Sequence, residues 1–364
     1  MDRRSFLKHG LAATSGIVLT GLPRLNCLAS TKQEPWRTYE VTVRIDILDP
    51  SGAVRAWVPL PLMRETGYFK REPDTCSGNY RSAKVMRYDS FGTGMLFAQW
   101  TGSEGAPVLE IKSRFATQDR QLRLDKRPSV AVTETKATLD YFRRPSKLIK
   151  THGIVASTSR RITAPYKQDI DKARAIYDWI IENTFRDPKV KGCGTGDIET
   201  MLHTGYLGGK CADLNALYVG LARAAGLPAR DVYGIRIANS SEFTSLGRAD
   251  DITGAQHCRA EVFLTGYGWV PVDPADVRKV VLEENAPNTP LALDDAKVKR
   301  ARDKLFGSWE MNWVPYNYAH DVRLPEAHGP EMGYFMYPQA ETAKGRKDCL
   351  DPKSFIYVIR SKEI

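Results

Sequence analysis

Metal-type spacing is missing from this chain. Its 364 residues hold six cysteines and six histidines, none of them in a CxxC, HxxxH or HExxH pattern, the spacings that zinc sites usually show. A set drawn from Cys193, His203, Cys211 and His257 is the one rival metal reading, and no spacing supports it, so neither a metal nor a cofactor is expected. Long hydrophobic runs are missing too. After residue 29 nothing approaches the roughly 18 apolar residues of a membrane helix, so a soluble mature protein with no stable membrane span is expected. Surplus charge of one sign is small: 53 Lys and Arg face 43 Asp and Glu. Part of that excess (Arg3, Arg4, Lys8 and Arg24 against Asp2) sits in the first 29 residues, and the rest is scattered without a basic stripe, so nucleic acid is not an expected partner. Gly192-Cys193-Gly194-Thr195-Gly196-Asp197 lacks the third glycine and the preceding strand of a dinucleotide fingerprint and reads as a loop. Internal repeats and low-complexity runs are absent. With 42% apolar and 26% charged residues, the composition is that of a folded globular protein, not of collagen, a disordered chain or a disulfide-stapled mini-protein. The length predicts about two domains and some extra.

The first 29 residues read as an address. Arg3-Arg4-Ser5-Phe6-Leu7-Lys8 resembles the twin-arginine export motif, and a short apolar stretch diluted by Gly, Ala and Thr follows from Leu11 to Leu22. Cys27 and Ala29 are small residues suited to precede a cut that leaves Ser30 first; Leu25-Asn26 before Cys27 does not resemble a lipobox. The resemblance implies the twin-arginine export machinery as a partner, folding before export, and a periplasmic or otherwise exported location. Such a compartment is oxidising. Five cysteines remain after Cys27, and an odd count leaves at least one thiol free. Cys193 with Cys258 and Cys76 with Cys349 is one pairing that would leave Cys211 free, though connectivity is not fixed by sequence.

Residues 39–47 alternate, with Tyr39, Val41, Val43, Ile45 and Ile47 apolar, and predict a half-buried strand. Asp49-Pro50-Ser51-Gly52 is turn chemistry. Further strands are expected at 53–60, 94–100 and 108–115, so 30–130 reads as an N-terminal β domain for packing or positioning. Helical texture then begins. Ala173, Ile176, Tyr177, Ile180 and Ile181 share one face, with Asp169 or Asp171 as the cap. A second helix buries Leu214, Leu217, Tyr218, Leu221 and Ala225 and ends at Gly226 and Pro228. A strand is expected at 229–237 and a hairpin at 257–264 and 269–273. Residues 131–280 are thus a core domain. The segment 281–364 is an extension packing on it, with one polar helix near 294–306, aromatics at Trp309, Trp313, Tyr316 and Tyr318, and a strand at 355–359. Those aromatics, with His320 and Asp321, could line a groove, but packing is preferred. The fold class is α+β.

Cys211 follows two glycines and opens a helix. Glycines let the backbone turn sharply and leave the sulfur approachable, and the helix N-terminus favours thiolate over thiol. Asp213 in the first turn suits the dipole but works somewhat against that thiolate. On the hairpin, period two puts His257 and Asp273 on one side of the sheet, opposite or diagonal, close enough for the carboxylate to take an imidazole N–H. That orients the ring and leaves its other nitrogen for a thiol.

Gly209-Lys210-Cys211-Ala212-Asp213, followed by Leu221-Ala222-Arg223-Ala224-Ala225-Gly226-Leu227-Pro228-Ala229-Arg230, resembles the cysteine segment of the transglutaminase-like superfamily. His257…Ala260-Glu261-Val262 and Gly268-Trp269-Val270-Pro271-Val272-Asp273-Pro274 resemble its histidine and aspartate segments, in the same order and spacing, over about 190–280. The resemblance implies a papain-like core, with a nucleophile helix packed on an antiparallel sheet. It implies Cys211 as nucleophile, His257 as base and Asp273 as orienter. Where the family commonly has an aromatic two residues after the histidine this chain has Arg259, which could alter the substrate groove. The implied activity is acyl transfer on an amide of a peptide or protein through a thioester. Hydrolysis is favoured over crosslinking because bacterial members include proteases; an inert binding or scaffolding protein on the same fold is the alternative.

Overall fold

The alternating run makes β1 (Arg37–Asp46), burying Tyr39, Val41, Val43 and Ile45 and leaving Arg44 in solvent. The computed structural model describes residues 35–48, 50–126, 132–286 and 289–364; the twin-arginine segment and its cut site lie outside them. β2 (Val54–Pro59), β3 (Gly94–Trp100) and β4 (Val108–Thr117) follow where they are expected. Short strands at Phe69–Arg71, Thr75–Gly78 and Ser82–Arg87 fill the stretch between β2 and β3. The last two hold mostly exposed residues, so no period-two signal marked them.

α1 (Asp169–Asn183) buries the predicted Ala173, Ile176, Tyr177, Ile180 and Ile181. Its N-cap is Gln168; Asp169 and Asp171 lie in the first turn, where they suit the positive helix end without capping it. Shorter helices at Lys136–Tyr141, Gly153–Thr163 and Ile198–Thr204 had no clear sequence signal. α2 (Cys211–Ala224) buries more than one stripe: Ala212, Ala216, Val219, Gly220 and Ala222 are covered as well as the leucines. Small residues permit that enclosure. A Cβ on Gly220 would come 2.1 Å from Ile198 Cδ1, closer than carbon atoms approach.

β5 (Ala229–Arg236), β6 (Gln256–Leu264) and β7 (Gly268–Val272) lead into α3 (Pro274–Glu283). The tail then supplies α4 (Ala296–Lys304), β8 (Trp313–Asn317), β9 (Gln339–Thr342) and β10 (Ile356–Glu363). The central sheet runs β7-β6-β5-β8, antiparallel throughout, with α2 packed across β6 and β5. The tail also reaches the other sheets, where β10 pairs with β1 and β9 with β2. Trp309, Trp313 and Tyr316 are buried in packing, and none of them lines the cavity described below. No described helix is long and apolar enough to cross a membrane.

Candidate active site

Cys211 is the first residue of α2, placed by a parallel bridge between Gly208–Gly209 and Phe185–Arg186. Space, not unusual torsion, requires these glycines: neither has a positive φ. A Cβ on Gly208 would meet the Phe185 ring at 2.4 Å, and one on Gly209 would meet Asp213 Cβ at 2.6 Å. Asp213 explains the glycine-rich loop before the helix. Its Oδ1 accepts from the Thr195 and Gly196 N–H groups, each at 2.9 Å, and its Oδ2 from Lys210 N–H at 2.9 Å. Gly194, at φ +95°, has room only for hydrogen there, since a Cβ would lie 1.8 Å from Asp213 Oδ2. Burial holds the Asp213 carboxyl above its ordinary range, and the nearby sulfur adds to the effect.

The sulfur sits among donors. The Cys193 and Cys258 thiols, then the His257 imidazole, pull the Cys211 thiol well below its ordinary range against the opposing effect of burial, while the Cys193 thiol itself donates to Gln256 O at 3.3 Å. Both neighbouring thiols are held up and neutral, Cys193 mainly through its contact with Cys211 and Cys258 mainly through burial. All five described cysteines are free. The pairing considered for Cys193 with Cys258 and Cys76 with Cys349 is therefore not formed: the first pair flanks Cys211 as two thiols, and Cys76 stands exposed.

His257 lies on β6, its carbonyl fixed by Trp313 Nε1–H at 2.9 Å. Its Nε2 is 2.8 Å from Asp273 Oδ2, which leaves Nδ1 for the sulfur. The diagonal placement comes from the register Ala260 opposite Val272, one step short of Asp273. Asp273 itself is past the strand, as N-cap of α3, accepting from Asp276 N–H at 3.0 Å. A second carboxylate is present that the sequence reading missed: Asp276 Oδ2 lies 3.3 Å from the same His257 nitrogen, while its Oδ1 accepts from Arg236 Nη2 at 2.5 Å. Burial and Arg236 oppose charge on the imidazole, but Asp276 and then Asp273 outweigh them and its pKa is pushed up to about 9. The signal for Asp276 was legible. Asp273-Pro274 is a cap followed by proline at the first helical position, with Val277, Val280 and Val281 at helical spacing.

Asn215 was also missed. One turn beyond Cys211 it donates Nδ2–H to Cys258 O at 2.8 Å and to Asp273 Oδ1 at 3.2 Å, tying helix to sheet. A polar residue beside the apolar positions Leu214 and Leu217 was its only mark. Arg259 does not reach the groove. It is 2% exposed, packs its guanidinium over Trp313 and Trp309, donates to Glu310 O at 2.9 Å and lies 3.6 Å from Asp273. His203, of the rival metal set, is exposed on another helix.

A cavity of about 660 Å³ opens onto Cys211 and His257, walled by the loop before α2, by 244–257 and by the tail from Tyr337 to Tyr357. A low-pKa sulfur at a helix start, beside an imidazole held by carboxylates at the mouth of a cavity, has the parts of a nucleophilic thiol site.

Residues 156–274 match the core of the transglutaminase-like superfamily. An uncharacterized protein of Haemophilus influenzae (strain ATCC 51907 / DSM 11121 / KW20 / Rd) is 35% identical over 344 residues, 90% of this chain and 91% of that one. The chain belongs to the transglutaminase-like superfamily, a family of thiol acyl-transfer enzymes. In overall fold it is similar to a candidate cysteine protease from Cytophaga hutchinsonii, with a TM-score of 0.50 at 14% identity over 91% of this chain and 99% of that one. A weaker likeness is to the periplasmic domain of TgpA from Pseudomonas aeruginosa, with a TM-score of 0.35 at 17% identity over 71% and 91% of the two chains.

Proposed function

We propose that the protein is an exported cysteine peptidase or amidase in which Cys211 is the nucleophile, His257 the general base and acid, and Asp273 the group that orients it. The observation that carries this reading is geometric: Cys211 opens a helix and His257, with Nε2 2.8 Å from Asp273 Oδ2, lines the same cavity, and the lowered thiol and raised imidazole agree with a thiolate–imidazolium pair at neutral pH. The thiolate attacks the amide carbonyl carbon and forms the C–S bond. The Ala212 N–H is taken by Cys193 O at 2.9 Å, so the Cys211 N–H is the helix-start donor for the oxyanion. His257 gives its proton to the leaving nitrogen, the C–N bond breaks and an amine departs. His257 then takes a proton from water, the hydroxide attacks the thioester, and the tetrahedral species collapses to a carboxylic acid and the Cys211 thiolate. Export through the twin-arginine machinery and work outside the cytoplasm belong to the same reading and rest on Arg3-Arg4 and the residues after them.

The test is the rate of iodoacetamide labelling of Cys211 near neutral pH. Fast labelling that is lost in His257→Ala, with the fold retained, supports the reading. A sluggish thiol indifferent to that change supports an inert scaffold. Release of new amine termini from protein substrates, as opposed to crosslinks, separates hydrolysis from transamidation.

A further inference from the structure

The cavity that exposes Cys211 carries a one-sided charge. Arg186, Lys210, Arg236, Arg248 and Lys279 line it, and Glu283 is the one carboxylate among the lining residues. Arg186 and Lys279 share that carboxylate, at 2.5 and 3.5 Å. With Arg236 discounted against Asp276, the wall keeps a surplus of three positive charges. Arg248 spends its Nε on the neutral Asp251 carbonyl at 2.8 Å. Burial, reinforced by Arg236, holds Lys279 below the ordinary lysine range, a cost that a bound anion would relieve.

A second observation at the same wall is independent of charge. Gln256, 8% exposed, is a lining residue whose buried Nε2 has no hydrogen-bond partner. Ser245, also a lining residue, has an unpartnered Oγ. Buried donors without acceptors are costly unless something pairs with them. Tyr337, Leu350, Phe355 and Tyr357 add apolar surface to the lining. A lining that holds cations, polar side chains and apolar surface together fits a segment that carries a carboxylate beside a hydrocarbon stem.

We infer that this cavity is a carboxylate subsite and that the acyl substrate of Cys211 is an acidic peptide, with a carboxylate close to the amide attacked. The carboxylate sits against Arg248 and Lys279, beside Ser245 and Gln256. This rests on the thiol reading above and adds the substrate class to it. Clefts lined by one sign of charge raise the local concentration and capture rate of opposite charge by about 10–10³.

The probe is iodoacetate, which bears a carboxylate beside its reactive carbon, compared with neutral iodoacetamide on the whole protein. The expected result is an iodoacetate-to-iodoacetamide rate ratio at least about tenfold above that of a cysteine in a neutral peptide, falling as salt is added. Arg248→Gln and Lys279→Gln should each cut the iodoacetate rate by roughly threefold or more and leave the iodoacetamide rate within about twofold. A preference that survives both substitutions belongs to the His257 imidazolium alone and overturns the proposal. So does an absent preference in a protein whose Cys211 still labels with iodoacetamide. A Cys211 that labels with neither reagent instead overturns the thiol reading, and the subsite with it. Protection separates the two sources of the carboxylate: slowed labelling by N-acetylglutamate α-amide assigns an acidic side chain, and slowing by N-acetylalanine a free C-terminal carboxylate.

Discussion

Replacing Asp276 with asparagine separates two carboxylates that both reach His257. Asp273 forms the shorter contact, 2.8 Å against 3.3 Å, and both raise the imidazole pKa, Asp276 by its charge and Asp273 by its charge and its hydrogen bond. The rise from 6.5 to about 9 corresponds to about 3 kcal/mol favouring the charged ring. That figure is what remains after burial and Arg236 have opposed it. Asp276→Asn removes one of the two favourable charges and leaves both opposing contributions, so the His257 midpoint should drop by about one unit or more. The assay is a pH titration of the histidine ring carbons by NMR in protein labelled with ¹³C-histidine, the His257 signal being identified by its loss in His257→Ala. Arg236 loses its buried partner in the variant, which costs on the order of 3–5 kcal/mol of stability. Thermal unfolding therefore accompanies the titration, and Arg236→Gln/Asp276→Asn removes both members of the ion pair together. A His257 midpoint still near 9 in Asp276→Asn, with Asp273→Asn alone lowering it, would refute the two-carboxylate account.

Cys193→Ala removes the neighbour with the largest part in lowering the Cys211 thiol; the acid limb of iodoacetamide labelling should move up, and an unmoved limb counts against the thiol cluster. His257 is raised on folding, so its contribution to stability is full below about pH 6.5 and fades as pH rises through about 9; unfolding midpoints measured across that window should fall, after allowance for the thiols. Glu261 is buried between Arg230, at 2.6 Å, and Arg120, so Glu261→Gln should cost on the order of 3–5 kcal/mol in urea denaturation, and a loss under about 1 kcal/mol would show that the pairs are neutralised otherwise. Gly194→Ala drives a methyl to 1.8 Å from Asp213 Oδ2 at a positive φ; the loop must shift, and both the melting temperature and the labelling rate of Cys211 should drop.

What was legible in the sequence was periodic or motif-borne. β1 and β4 alternate because one face of each is covered, and α1 shows one stripe because one face packs. Cys211, His257 and Asp273 could be placed together because a hairpin register and a helix start are local geometry. Groups that act across the fold left weaker traces. Arg236 reaches Asp276 from another element, and nothing in either segment names the other. The free state of Cys193 and Cys258 depends on where α2 and β6 meet, which parity arguments about cysteine count do not contain. Packing was the preferred reading for the aromatics of 309–321, and Trp309 and Trp313 are indeed occupied with Arg259 and the sheet; the groove wall is built instead by 337–357, which no sequence signal marked.

The seam between β1 and β10 links order of synthesis to chemistry. β1 emerges early from the ribosome and has no partner on that side until 356–363 has been made. Phe355, Ile356 and Tyr357, at the start of that late strand, also wall the space over the sulfur. A chain that stopped short of them would lack both the last stave of the sheet and one side of the groove. The nucleophile is thus given its chamber only after nearly every other part of the protein already exists.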